Sequence, residues 1–138
     1  MDIRAFSRSD ESAVVALWEQ CQLTRPWNDP HKDIARKLTV QRELFLVGVE
    51  KDSIVATVMA GYEGHRGWVN YLAVAPAFRG RGAGRALMAR VEQLLMDRGC
   101  PKISLLIRAE NSDVADFYRH LGYTQDHVVA LGKRLIHD

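Results

Sequence analysis

Apolar positions change their spacing along this chain, and each change marks an element. Ile3 to Phe6 reads as a short first strand, followed by Ser7, Ser9 and Asp10, which can cap a helix. Val14, Leu17, Trp18 and Cys21 then recur at helical spacing. Two prolines and Asn-Asp break the period from Thr24 to Pro30 and predict a loop. A second helix is expected through Ile34 and Leu38. Leu44 to Val49 and Ser53 to Tyr62 are apolar and β-branched around a Lys51-Asp52 turn, which predicts a hairpin. After a second turn, Glu63 to Gly67, Trp68 to Val74 is apolar enough for a buried strand.

The strongest helix follows a glycine-rich turn. Leu87, Val91, Leu94 and Leu95 line one face of it, and Gly99 and Pro101 end it. Ile103 to Ile107 reads as another buried strand. Asn111 and Ser112 can cap a helix with Val114, Phe117 and Leu121 inside and Gly122 at its end. Val128 to Ile136 is expected to be a final strand. Strands on both sides of the central helix imply a β-α-β crossover within a mixed α/β sheet.

Composition narrows the function less than charge placement does. The 138 residues suit one domain over 1–138, and 47% hydrophobic with 26% charged residues is a globular profile. Nineteen Lys and Arg against seventeen Asp and Glu give +2, too balanced to imply nucleic acid. Gly64 to Val91, however, contains no Asp or Glu while holding Arg66, Arg79, Arg81, Arg85 and Arg90. No apolar run approaches the ~20 residues of a membrane span, so no membrane partner is expected. The two cysteines cannot build a disulfide framework and no signal peptide is visible, which makes the cytoplasm the simplest home. The five histidines are scattered without ligand spacing, so no metal is expected.

Arg79-Gly-Arg-Gly-Ala-Gly-Arg85 joins the Trp68–Val74 strand to the central helix. Glycines let backbone amides turn toward a ligand, and a helix start adds unpartnered amides and positive potential. With three arginines around it, this point is an anion site suited to phosphate. An NTPase loop is excluded, because Gly84 precedes Arg85-Ala86 rather than Lys-Ser/Thr. The dinucleotide spacing fails as well: its last glycine falls on Arg85 or Leu87. The plainer alternative is a tight turn carrying solvated arginines.

Leu72-Ala73-Val74-x-Pro76-x-x-Arg79-Gly80-x-Gly82-x-Gly84-x-x-Leu87 resembles the central signature of the GNAT superfamily of acetyl-CoA-dependent N-acyltransferases. Asn111 followed by Phe117-Tyr-Arg-His-Leu-Gly-Tyr123 resembles its second signature. Arg25 to Pro30, Gly64 to Gly67, Arg98 to Lys102 and Leu131 to Leu135 look like the bacterial YpeA-type members. The resemblance implies a mostly antiparallel sheet of about six or seven strands with a central splayed parallel pair. It implies that acetyl-CoA sets its pyrophosphate on the amides of Arg79, Gly80, Arg81, Gly82, Ala83, Gly84 and Arg85. The pantetheine arm would pair with Leu72, Ala73 and Val74, and Asn111 would contact the same molecule or cap its helix.

The reaction implied is acetyl transfer to a primary amine of a small molecule or peptide, by direct attack in a ternary complex. Tyr118 matches the family's acid for the departing thiolate; the alternative is an ordinary packed tyrosine. The positions where relatives carry a basic Glu fall on Leu106 and Asn70, neither of which can accept a proton. Glu63, with His65 beside it, is the nearest titratable candidate, against a simple polar turn or a water chain. Trp27, Asn28 and Asp29 lie in the loop that covers the acceptor in the family; Asp29 could instead cap the next helix. A non-catalytic acetyl-CoA sensor is the alternative function. The apolar stretch Val128 to Leu131 could pair between subunits of a homodimer.

Overall fold

The computed structural model describes residues 1–138. Its sheet has five strands in chain order: β1 (Asp2–Ala5), β2 (Phe45–Glu50), β3 (Ser53–Tyr62), β4 (Gly67–Val74) and β5 (Ile103–Ser104). The first four pair antiparallel. Only β4 and β5 run parallel, joined at Gly67↔Ile103 and Trp68↔Ser104. The strand number is therefore five rather than six or seven, and the parallel pair lies at the edge of the sheet rather than at its centre.

Four helices cover the two faces. The helices α1 (Glu11–Gln20) and α2 (Pro30–Lys37) pack on one; α3 (Ala83–Met96) and α4 (Ser112–His120) pack on the other. Strand alternation sorts side chains between the two cores. Phe45 and Val47 join Val14, Leu17, Trp18 and Ile34 beneath α1 and α2. Leu46, Ala56 and Val58 join Leu87, Val91, Leu95 and Tyr118 beneath α3 and α4.

The start of α1 follows the capping residues. The Ser7 amide donates to the Asp10 carboxylate at 2.8 Å, and Arg4 donates to it twice, at 2.7 and 3.0 Å. The Arg4 guanidinium holds the Asp10 carboxyl below its ordinary range.

Two expected strands are altered. Ile103 to Ile107 forms ladder bonds at its first two residues only, and Leu106 is 73% exposed. The backbone diverges from β4 and has no strand on its other side, so nothing pairs with it. Val128 to Ile136 is not a strand at all. None of residues 124–138 shares a backbone–backbone hydrogen bond, and Val128, Val129, Leu131, Leu135 and Ile136 are 64–92% exposed. A strand needs a neighbour to satisfy its ladder, and β5 is too short an edge to supply one.

Candidate active site

β4 carries a bulge that no local pattern announces. Met59 pairs with Asn70 and Thr57 with Ala73, so Tyr71 and Leu72 together stand opposite Val58. Tyr71 takes φ +52°, a left-handed conformation unusual for a residue with a Cβ. The inserted residue reverses the alternation. Val69 packs beneath α3, whereas Tyr71 turns to the opposite core, onto α1. There its ring stacks on Trp18 with centroids 3.7 Å apart. Thr57 Oγ1 accepts from Trp18 Nε1 and donates to the Tyr71 carbonyl, each at 2.9 Å.

Beyond the bulge, β4 has an open side. Ala75 donates to Val55 at 2.7 Å on the β3 side. By alternation Leu72 and Val74 then point their backbone groups away from β3, toward the gap left by β5. The Val74 carbonyl is occupied there by Arg79 Nε at 3.1 Å and the Cys21 thiol at 3.4 Å.

The chain then turns through Pro76–Phe78 into the glycine loop. Gly80 and Gly82 adopt φ +78° and +80°, where a side chain is strained. Gly82 is the N-cap of α3, and the Ala86 amide is the first after the loop to find a carbonyl, that of Gly82 at 2.9 Å. The amides of residues 80–85 donate to no group of the chain. Gly84 is needed for closeness instead: a Cβ there would lie 3.0 Å from the Phe117 ring, where α3 crosses α4. Of the three arginines, Arg79 is turned back onto Val74 and Arg81 lies 5.1 Å from the Phe78 ring centre. Arg85 is exposed and has no partner in the chain.

Tyr118 sits on α4, 6% exposed, between Phe117 and Tyr123 in edge-on contacts of 5.1 and 5.5 Å. Burial pushes its phenol up to about 12. Its hydroxyl bonds to nothing in the chain, yet no fully enclosed side-chain oxygen lacks a partner, so this oxygen keeps access to solvent. Asn111 is the N-cap of α4 but makes no side-chain capping bond, which leaves its amide group uncommitted.

The remaining candidates fall in two separate places. Glu63 lies in the turn before β4, at the opposite end of that strand from Val74. Its carboxylate accepts from the amides of His65, at 2.9 Å, and Arg66. These bonds hold its carboxyl below the ordinary range, so it is a poor proton acceptor. Seven strand steps at about 3.3 Å each separate Gly67 from Val74, which keeps Glu63 away from the loop.

Of Trp27, Asn28 and Asp29, Asn28 is tied to the bulge, through Asp33. Trp27 is 51% exposed with Arg108 5.6 Å from its ring. Asp29 caps α2, accepting from His31 at 2.9 Å and Lys32 at 3.4 Å. The carboxylate that reaches the bulge is Asp33, which accepts from the Tyr71 hydroxyl at 2.7 Å and Asn28 Nδ2 at 3.2 Å. Burial and this carboxylate both raise the Tyr71 phenol well above its ordinary value. Asp33 stands one helical turn after Asp29, and that spacing is the only sequence signal for it.

A glycine loop with unpartnered amides, an open strand and a partly enclosed tyrosine thus share one end of the sheet. Residues 12–123 match the model of the Acetyltransferase (GNAT) family. The chain belongs to that family. Acetyltransferase YE1169 of Yersinia enterocolitica is 51% identical over 138 residues, covering 100% of this chain and 98% of the relative. Acetyltransferase ECA0875 of Pectobacterium atrosepticum is also 51% identical, with the same coverage.

Solved structures share the GNAT fold at lower identity. AAC(6')-Iy, in complex with the bisubstrate analog CoA-S-monomethyl-acetylneamine, superposes with a TM-score of 0.78 at 19% identity, covering 96% of this chain and 97% of that one. The ribosomal-protein-S18-alanine N-acetyltransferase of Escherichia coli gives 0.75 at 20% identity, covering 91% and 78%. GNAT enzymes use acetyl-CoA. No group of three or more His, Cys, Asp or Glu gathers for a metal, and no helix is long and apolar enough to cross a membrane.

Proposed function

We propose that this GNAT domain moves the acetyl group of acetyl-CoA to a primary amine of a small molecule or peptide. The observation that carries this reading is the run of unpartnered amides at residues 80–85, opening beside the free side of β4. A pyrophosphate is the anion that such a run at a helix start fits. Leu72 and the Val74 amide then hold the pantetheine arm by strand-like pairing, the Val74 carbonyl being taken by Arg79 and Cys21. Asn111, with its side chain uncommitted, contacts the same molecule. The thioester supplies an activated acetyl carbon, and the amine attacks it directly in a ternary complex.

The chain's own groups do the rest. A lysine-type ammonium has a pKa of about 10.4, so the acceptor must lose a proton before attack. Glu63 is too distant for this; the proton leaves through water. A backbone amide of Leu72 to Val74 donates to the oxyanion. Tyr118 donates to the departing sulfur. Trp27 and Asn28 line the acceptor's approach, while Asp29 positions α2.

A free-thiol assay with acetyl-CoA against amino acids, polyamines, aminoglycosides and short peptides tests the reading. Release with at least one amine class is expected. Asp33 is already held by Tyr71, Asn28 and Arg36, which leaves the bulge without an uncommitted base and favours the sensor alternative. A melting shift with acetyl-CoA but no thiol release over the whole panel would establish that alternative.

The resemblance to YpeA-type members and a cytoplasmic setting are retained in this reading. So is a homodimer. Segment 124–138 is pinned near its ends, by Asp126 on Lys102 at 2.9 Å and Asp138 on Arg36 at 2.5 Å. The exposed Val128 to Leu131 between them is the part that meets a second copy. Sedimentation should give twice the chain mass, falling to one chain in a Val129→Lys, Leu131→Lys variant; a monomeric parent sinks the dimer.

A further inference from the structure

The acceptor loop already holds a carboxylate. Asp138 accepts from both terminal nitrogens of Arg36, at 2.5 and 3.4 Å, and from the Asp29 backbone amide at 2.9 Å. Its side chain is 2% exposed, although the residue as a whole lies at the surface. Arg36 is fixed from the other side by Asp33 at 3.1 Å, and Asp33 by the Tyr71 hydroxyl in the bulge. A continuous chain of bonds therefore links the carboxylate to β4.

A cation sits beside it. Arg134, four residues before Asp138, donates to the side-chain oxygen of Asn28. The nitrogen of the same Asn28 side chain donates to Asp33. Segment 124–138 thus presents an anion to Arg36 and a cation to Asn28.

Within one chain only side-chain contacts hold that segment: Asp126 on Lys102, Arg134 on Asn28 and Asp138 on Arg36. It lacks backbone–backbone bonds, and its large apolar side chains face solvent. A group on a short tether competes at an effective concentration of about millimolar, which a free ligand can match.

We propose that Arg36 and the Asp29 amide form a carboxylate subsite, and that the acceptor is an amine which also carries a carboxylate. Asp138 fills the subsite until the acceptor arrives. The inference rests on the acetyltransferase reading for its substrate, but the subsite can be measured without turnover.

The probes are N-acetyl-β-alanine and N-ethylacetamide, which differ by one carboxyl group, titrated into the full chain by NMR. The first should bind at least about tenfold more tightly, a charge-assisted difference. Asp138→Asn should strengthen it about threefold further by removing the competitor. Arg36→Gln should abolish the preference and leave N-ethylacetamide unchanged. Thiol release from β-alanine against ethylamine should follow the same order in KM. Equal binding of the two probes, or a preference that survives Arg36→Gln, overturns the subsite. If Arg36→Gln fails to fold, the Asp138→Asn result decides: no gain for the carboxylate probe also overturns it. A preference without thiol release from any amine keeps the subsite and removes the acetyltransferase reading instead.

Discussion

Tyr118→Phe should lower turnover by about 10- to 100-fold while the KM for acetyl-CoA stays within about twofold. The size follows from the hydroxyl's environment. With its phenol pushed up to about 12, Tyr118 stays protonated throughout the neutral range. A thiol leaves with a pKa of about 8.5, so full proton transfer from this phenol is uphill. In the proposed reaction the hydroxyl offers a hydrogen bond to sulfur as negative charge develops. Hydrogen bonds to charged groups contribute about 1.5–3 kcal/mol, which sets the range of the loss. Binding should be spared because the proposed cradle for the pyrophosphate, the unpartnered amides of residues 80–85, lies on a different element. The turnover profile should show no limb from Tyr118 below about pH 10. The same sign governs stability. A phenol raised by burial resists ionisation, so its contribution is whole below about pH 10 and fades as pH rises through about 12. Unchanged turnover in steady-state kinetics would reduce Tyr118 to a packing residue between Phe117 and Tyr123.

Trp18→Ala should cost about 3–5 kcal/mol, the range for a fully buried tryptophan cut to a methyl group. Trp18 is 0% exposed, stacks on Tyr71 and Phe45, and bonds Thr57. The pile also has a local task. Tyr71 at φ +52° costs of order 1 kcal/mol, and the Trp18 ring with the Thr57 hydroxyl is what holds it there. Natural domains are stable by only about 5–15 kcal/mol, so a large share of the total goes. At this size the melting temperature should fall by about 10–20 °C. Trp18→Phe keeps the stacking surface and loses the indole donor, and should cost about 1–2 kcal/mol. A Trp18→Ala melting point within about 3 °C of the parent would show that something else supports the bulge.

The helices were legible because each advertises itself locally. Val14, Leu17 and Trp18 recur at helical spacing in α1, as do Leu87, Val91 and Leu95 in α3, and all six are buried as that spacing requires. The glycine loop was legible for the same reason: Gly80 and Gly82 are where the backbone must take a positive φ. Strand pairing was legible where a short turn joins the partners, as in β2 and β3. It failed at Val128 to Ile136, because a strand pattern states what a segment could pair with, not whether an edge is in reach. Asp29 shows the same limit at the site. Its sequence context offered both an ammonium partner and a helix cap, and the capping amides of His31 and Lys32 claim it.

The sequence alone determined the family, the order of helices and strands as far as α4, and the glycine loop that starts α3. All of these depend on neighbours a few residues apart. Tertiary structure decided the bulge, and with it which face Tyr71 takes. It also decided that Asp33 and Arg36, rather than Glu63, stand at the end of its hydrogen bonds. One inserted residue reverses the alternation of a strand, and only the register against β3 reveals it.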